Sequence, residues 1–438
     1  MLMWYVFYML HTKKHLGPSC LREMLSERFS GITDTRQEAK KDYEMHDVVM
    51  SAYAMMFFQD PSLLQFQQRM EDEAHMNNLT TLFNIQSIPK DTRMREVIDE
   101  IDPKELEPLF DDFFRPLQRG KHIEQYRILD RYIVAIDGSQ YFTSEKVSCP
   151  GCLFKEGKKG SVRYFHQIVQ AALMHPDKRQ VIPLAPEEVK NTDGKEKQDC
   201  EINAGKRLLA KIRKSHPKLP LIIVGDSLYS KQPAIEEMTA LDMRYVLTAK
   251  PDDHKKLMEW VNEQRILEET SRMEVKDKKG RIHIYEWINE VPLNDNKKAV
   301  MVNYFEYWIK ENGKTTYHNS WVTDLPVDGN IKELVKIGRC RWKIENETFN
   351  TLKNQGYHIE HNYGHGKNHL SFNFFLLNLL AFFMHQIFEL TYLPYQQLRK
   401  KFGSKRNLWD HLRACLYIVV FPDLNTYFEG LLNPRRFT

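Results

Sequence analysis

The 438-residue sequence predicts an α/β fold, a mixed sheet flanked by helices, with an antiparallel β-rich insertion and an α-helical N-terminal region. Three observations carry this reading. From residue 131, β-rich and helical runs alternate along the chain. One of these runs, "LPLIIVGDSLY" (219–229), is continuously apolar before its aspartate, the pattern of a strand covered on both faces. Between 270 and 325 the alternation gives way to β-branched and aromatic runs separated by turn segments such as "DKKG" and "ENGK".

Taken in order, residues 1–125 read as a separate helical region. Periodic stretches such as "MSAYAMMFFQDPSLLQFQQRMEDE" and "TRMREVIDEIDPKELEPLFDDFFRPL" are expected to break at Pro61, Pro89, Pro103 and Pro116. The first ten residues, "MLMWYVFYML", carry no basic leader or cleavage site and are too short to span a bilayer. They read as a packed helix or strand, or as an over-early start codon. Residues 126–268 form the first part of an α/β core. Its strands are "RYIVAID", "QYFTSEKV", "SVRYFHQIVQAALM", "LPLIIVGDSLY" and "RYVLTAK", and its helices lie at 198–216, 231–241 and along "DDHKKLMEWVNEQ". In the first helix Ile202, Leu208, Leu209 and Ile212 share one side.

The β-rich insertion covers 269–326, and 327–392 returns to helix, beginning with "NIKELVKIGRCRWKIENETFNTLKNQ". A basic, helical tail fills 393–438. The run "FNFFLLNLLAFFMHQIFEL" (372–390) has the length a bilayer needs, but Asn373, Asn378, His385, Gln386 and Glu389 would be costly in lipid. It is expected to be a buried core helix. Six cysteines without a secretory segment point to a reducing, cytoplasmic setting and against a disulfide framework. The formal net charge of +4 is uninformative, so any nucleic-acid face must come from clusters such as "KRLLAKIRKSHPK" and "RKKFGSKR".

Chemistry is suggested by two aspartates. In "YIVAIDGSQYF" an apolar run reaches Asp137 and then Gly138, which alone reads as a turn. "LPLIIVGDSLY" reaches Asp226 in the same way. If the first three strands form a meander and the next two join by right-handed crossovers, these runs lie parallel and adjacent, with both carboxylates at the strand ends where α/β sheets bind ligands. Two nearby carboxylates repel unless a cation lies between them, and hard oxygen ligands select Mg²⁺ or Mn²⁺. Two such ions are a known device for phosphoryl transfer. A third carboxylate is available in "RCRWKIENETFNTLK" (339–353).

Together, "IDGS" with Asp137, "IIVGDSLY" with Asp226 and "RWKIE" with Glu345 resemble the DDE triad of insertion-sequence transposases, which is set on an RNase H-like fold. The "W-x-I-E" helix and the β-rich insertion before it are similar to the IS-four-type group, and the resemblance covers 131 to about 390. That group's helix carries a Tyr, Arg, Glu, Lys signature. Here Arg341 and Glu345 are in register, Gly338 and Leu352 stand where Tyr and Lys would, and Lys353 is one residue late. Glu347 is a rival for Glu345. At about 100° per residue, Lys353 lies about 80° from Glu345 but about 120° from Glu347, which favours Glu345.

The resemblance implies metal-dependent cleavage at insertion-sequence ends and strand transfer into target DNA, with Asp137, Asp226 and Glu345 holding two Mg²⁺ or Mn²⁺ ions. It implies double-stranded DNA as partner and a homodimer in the DNA complex. Arg341 and Lys353 are expected to contact phosphate, with Lys250 and Tyr229 as further DNA contacts. The N-terminal region would read transposon ends, although it shows no clean helix-turn-helix, and the insertion would hold flanking or hairpinned DNA. Trp308 and Trp321 either stack on a flipped base there or pack within the sheet. Two other readings compete. One is a decayed, DNA-binding relative. The other is an aspartate-nucleophile phosphatase, which would need an aspartate where Ser139 stands.

A second metal is suggested by "SCPGCLF". Cys149-x-x-Cys152, with His166 and Cys200 close by in the expected fold, makes a structural zinc site, against the alternative of four ordinary thiols and imidazoles. The histidine-rich "HIEHNYGHGKNH" (358–369) reads as a polar DNA-facing loop or a solvated turn, with no ligands assigned in it.

Overall fold

A computed structural model describes residues 16–37, 41–70, 73–157, 160–191 and 199–433, so the expectation for residues 1–10 lies outside it. Among the described residues six helices come first: α1 (Pro18–Ser30), α2 (Met45–Phe57), α3 (Leu63–Met70), α4 (Glu73–Phe83), α5 (Asp91–Asp99) and α6 (Pro108–Arg119). The core follows with β1 (Arg127–Ile128), β2 (Arg131–Ser144), β3 (Leu153–Glu156), β4 (Val162–Met174), β5 (Ile182–Pro183), β6 (Glu187–Val189), α7 (Glu201–Ser215), β7 (Leu221–Gly225), α8 (Gln232–Ala240), β8 (Arg244–Thr248) and α9 (Lys255–Ile266). The insertion contributes β9 (Ser271–Lys276), β10 (Ile282–Pro292), β11 (Met301–Glu311) and β12 (Lys314–Thr323). Then come α10 (Ile331–Cys340), a π-helical turn (Ile344–Phe349), α11 (Asn350–Asn354), α12 (Leu370–Thr391), α13 (Leu393–Phe402), α14 (Lys405–Cys415) and α15 (Leu424–Leu432).

The strands make a single mixed sheet in the order β3-β4-β2-β7-β8-β12-β11-β10-β9, with β2, β7 and β8 parallel at its centre. Flanked by helices, this is the mixed α/β arrangement of an RNase H-like fold. All five residues of β7 are buried, as its unbroken apolar run requires. The insertion does not form a sheet of its own. β12 pairs antiparallel with β8 through Trp321 and Thr248, so the insertion extends the core sheet.

Two local expectations change. β2 does not stop on Asp137: it is one 14-residue strand that runs through Gly138 and stays paired with β4 as far as Ser144, with a bulge between Gln140 and Phe142. Asp and Gly favour a turn only where nothing holds the strand, and β4 holds it here. Pro116 lies inside α6 rather than ending it. Its missing hydrogen bond costs about 3 kcal/mol. The buried side chains Leu109, Phe110, Phe113, Phe114 and Leu117 offset that, each contributing about 1.5–3 kcal/mol.

The N-terminal helices are not separate from the rest, because they share one core with α12 and the C-terminal helices. By length and composition the 22-residue α12 would pass for a membrane span, yet 83% of its most apolar window is buried within the protein. Its polar residues are internal tethers. Asn373 Nδ2 donates to the carbonyls of Ile98 and Ile101 at 2.8 Å, Asn378 Nδ2 donates to Tyr357 O at 2.6 Å, and Gln386 Oε1 accepts from Val181 N at 3.1 Å. Glu389 pairs with Arg399 and Lys405.

The start of α12 is held from outside by Asp99, whose carboxylate accepts from the backbone amides of Lys367, Asn368, His369 and Leu370 at 2.9–3.0 Å. Gly366, at φ +72°, is required beside it, since a Cβ there would lie 2.2 Å from Asp99 Oδ1. Burial would raise the Asp99 carboxyl, but the four amides outweigh it and hold its pKa below the ordinary value. Asp99→Ala should therefore destabilise the protein by about 1–3 kcal/mol in denaturant melts near neutral pH. A depressed carboxylate contributes above its unfolded pKa of about 3.9 and loses the contribution as pH falls through the folded value. The deficit of the variant should thus shrink in strong acid. An unchanged denaturation midpoint at neutral pH would refute the role.

Candidate active site

The position of the two aspartates follows from sheet register. The last parallel pair between β2 and β7 is Ala135 with Val224, and Asp137 and Asp226 each lie two residues beyond it. At that point β7 ends, while β2 continues against β4 alone, with Asp137 opposite Gln170. The gap opened beside β2 is where both carboxylates stand. Asp226 Oδ1 closes its own turn by accepting from Leu228 N at 2.9 Å, and Asp137 Oδ1 accepts from Gly138 N at 3.0 Å.

Glu345 arrives on the π-helical turn, a distortion often found at functional sites. The 100° spacing used for the sequence therefore does not hold locally. Contacts separate the two glutamates instead. Arg341 Nη1 lies 2.7 Å from Glu345 Oε1 and 3.6 Å from Asp137 Oδ2, bridging them. No such bridge joins Glu347 to Asp137 among the described residues. The absence of the signature tyrosine also has a steric cause: a Cβ on Gly338 would lie 2.6 Å from the Trp321 indole, which fills that space.

A fourth carboxylate, missed in the sequence, belongs to the same cluster. Glu201, the first residue of α7, lies against Gly138, where a Cβ would come within 2.2 Å of its Oε2. Gln167 Nε2 donates to Glu201 Oε2 at 2.8 Å and the Tyr229 hydroxyl donates to Oε1 at 3.2 Å. The Tyr229 ring in turn packs on Gly225 and Gly205, which explains the glycine just before Asp226. The available signal was Glu201 opening a helix directly after the strands, but nothing in its neighbours marked it. Burial, then the charges of Glu201, Glu345 and Asp226, push Asp137 up to about 7 against the opposing charge of Arg341. Four carboxylates around one guanidinium leave negative charge uncompensated, an oxygen-rich arrangement suited to Mg²⁺ or Mn²⁺.

The other expected residues are distributed unevenly. Tyr229 is buried, and its hydroxyl donates to Glu201 and so supports that carboxylate. Lys353 pairs with Glu360 at 2.8 Å, and Lys250 lies exposed just past β8. Trp321 is a core residue stacked on Phe305, whereas Trp308 is half-buried against His318. Trp342, next to Arg341, is 59% exposed. Cys149, Cys152 and His166 do come together, but Cys200 is not with them. It caps α7 in an exposed position, and His365 from the histidine-rich loop takes the fourth place.

A family model described as Transposase DDE domain matches residues 129–384, the sheet from β2 onward with its insertion and most of α12. The chain belongs to the DDE transposase family. A second family model, described as DDE_Tnp_1-associated, matches residues 26–114 in the N-terminal helices, and together the two support the IS-four-type group. No curated protein is similar enough to count as a match. Membership makes this a transposase acting in DNA recombination, implies DNA binding, and accords with the general use of divalent metal ions in the family.

The raised Asp137 has a measurable consequence. Its folded-state pKa of about 7 exceeds the unfolded value of about 3.9, so the folded state holds the extra proton between them. The cost of ionisation is absent below about pH 4 and complete above about pH 7. Stability of the ion-free protein should fall across this window as pH rises, and Asp137→Asn should flatten the fall by a few kcal/mol. Parallel pH–stability profiles for wild type and variant would exclude the raised pKa.

Proposed function

We propose that this transposase cleaves double-stranded DNA at the ends of its element and joins the freed 3′ end to target DNA, with Asp137, Asp226 and Glu345 as the catalytic triad. The observation that supports this best is the shared register of Asp137 and Asp226 at the end of the parallel pair, with Arg341 linking Asp137 to Glu345. Two Mg²⁺ or Mn²⁺ ions held by these carboxylates would supply activation of water or a 3′-hydroxyl and stabilisation of the leaving oxygen. Glu201 is within the same cluster and adds a fourth oxygen donor, kept in place by Gln167 and Tyr229.

The side chains have their own parts. Arg341 holds Asp137 and Glu345 together in the ion-free protein, and its forked guanidinium then suits the scissile phosphate. Lys250 and Lys353 add positive charge for the DNA backbone, Lys353 after leaving Glu360. The exposed Trp342 and half-buried Trp308 offer faces for an unstacked base. The N-terminal helices read the element ends, and paired ends bring two copies together as a homodimer. Such a protein works in the cytoplasm, where its DNA lies.

Cleavage of DNA carrying the element's own ends, in Mg²⁺, tests the reading. Asp137→Ala, Asp226→Ala and Glu345→Ala should each lower the rate on the order of a thousandfold or more. Glu201→Gln should cost about 10- to 100-fold, as loss of a supporting metal-site carboxylate does. Glu347→Ala should stay within a few-fold of wild type. Retained cleavage in any of the three triad variants, or loss in Glu347→Ala alone, would overturn the assignment.

A further inference from the structure

Away from the carboxylates, two sulfurs and two imidazoles converge on one point. Cys149 Sγ and Cys152 Sγ are 3.8 Å apart, and His166 Nε2 is 3.6 Å from the first and 3.5 Å from the second. His365 Nε2 is 3.3 Å from Cys152 Sγ and 3.1 Å from His166 Nε2, and all four donor atoms lie within 4.8 Å of one another. A tetrahedral ion with bonds of about 2.3 Å to sulfur and about 2.0–2.1 Å to nitrogen would set these separations at about 3.8 Å for S–S, about 3.6 Å for S–N and about 3.3 Å for N–N. The observed spacings match this set. They do not match a disulfide, whose sulfurs lie about 2.05 Å apart.

The surroundings prepare the donors. The His365 Nδ1 is 2.9 Å from Gly366 O, which makes Nδ1 the protonated nitrogen and leaves the Nε2 lone pair facing the cluster. His166 Nδ1 lies 3.5 Å from Glu188 Oε1, and that carboxylate accepts from the Tyr141 hydroxyl at 3.2 Å. A carboxylate behind a ligating imidazole is the usual second partner of a metal-bound histidine. Cys152, His166 and His365 are each at least nine-tenths buried, so bulk water does not solvate the converging lone pairs. The Cys149–Cys152 turn is closed by Cys152 N donating to Cys149 O at 3.1 Å.

We propose that Cys149, Cys152, His166 and His365 bind one structural Zn²⁺ that clips the loop after the Glu345 helix to the β3–β4 edge of the catalytic sheet. The clip joins parts of the chain some 200 residues apart, His166 being 199 residues from His365. On β4 the next residue, Gln167, orients Glu201, so the ion would brace the strand that supports the carboxylate cluster. The proposal stands apart from the catalytic reading, since it concerns four residues outside the triad.

Elemental analysis of the full chain, purified under reducing conditions without chelator, is expected to find one zinc per chain. After zinc removal, Co²⁺ titration should give thiolate-to-cobalt charge transfer and the intense visible bands of a tetrahedral S₂N₂ site. Cys152→Ser and His365→Ala should lose the ion, while Cys200→Ser should keep it in full. Circular dichroism of each variant checks that the fold persists, and the Co²⁺ spectrum of the wild-type chain tests the site independently of any variant. Absence of both stoichiometric zinc and a tetrahedral Co²⁺ spectrum would overturn the proposal. So would loss of the ion in Cys200→Ser with retention in His365→Ala.

Discussion

The parallel pairing of β2 with β7, and its ending at Ala135 and Val224, is the constraint on which the rest depends. Because one strand stops and its neighbour continues, Asp137 and Asp226 both stand two residues beyond the last parallel pair, with Asp137 still held by β4 on its other side. β4 keeps β2 extended beyond this point, which gives Asp137 a rigid support instead of a turn. Everything else at the site is fitted to this step in the sheet. Glu201 fills the space that Gly138 leaves, Tyr229 props Glu201 from the face of two glycines, and the π-helical turn brings Glu345 within reach of Arg341.

This arrangement works against the stability of the fold. Four carboxylates share a partly buried region with one guanidinium, and the result is visible in an Asp137 whose proton is held to about pH 7. The folding free energy for it comes from elsewhere, chiefly from the sheet and from the helical body around α12, whose polar side chains are bonded internally and whose first turn is held by Asp99. The 358–369 segment runs between them. One end of that segment follows the Glu345 helix, and the other is fixed by Asp99 and contributes His365 to the cysteine–histidine cluster.

Much of this was legible in the chain. The apolar run of β7 announced a doubly covered strand, the insertion's turn-separated β runs announced antiparallel hairpins, and the polar residues of 372–390 argued against lipid. Asp137 and Asp226 stand at the ends of apolar runs, and Glu345 is marked by the resemblance of "RWKIE" to the DDE signature. Other features left no local trace. Glu201 looks like an ordinary first-turn acid, and the Tyr229 hydroxyl has no visible partner, until their positions in space are known. The extension of β2 past Asp-Gly depends on β4, about 30 residues away, and the membership of the insertion in the core sheet depends on β12 meeting β8.

Periodicity and composition alone determined the α/β class and the order of the elements, because these follow from local spacing of apolar and charged residues, whereas the candidate triad took its identity from the resemblance to the DDE motif. Tertiary structure decided which residues share a point in space. It exchanged Cys200 for His365, put Glu345 against Arg341, which also reaches Asp137, and gave Trp321 to the core at the expense of a tyrosine at 338. The physical reason is the same in each case: strand spacing and side-chain volume act between residues distant in sequence, and no local pattern records them.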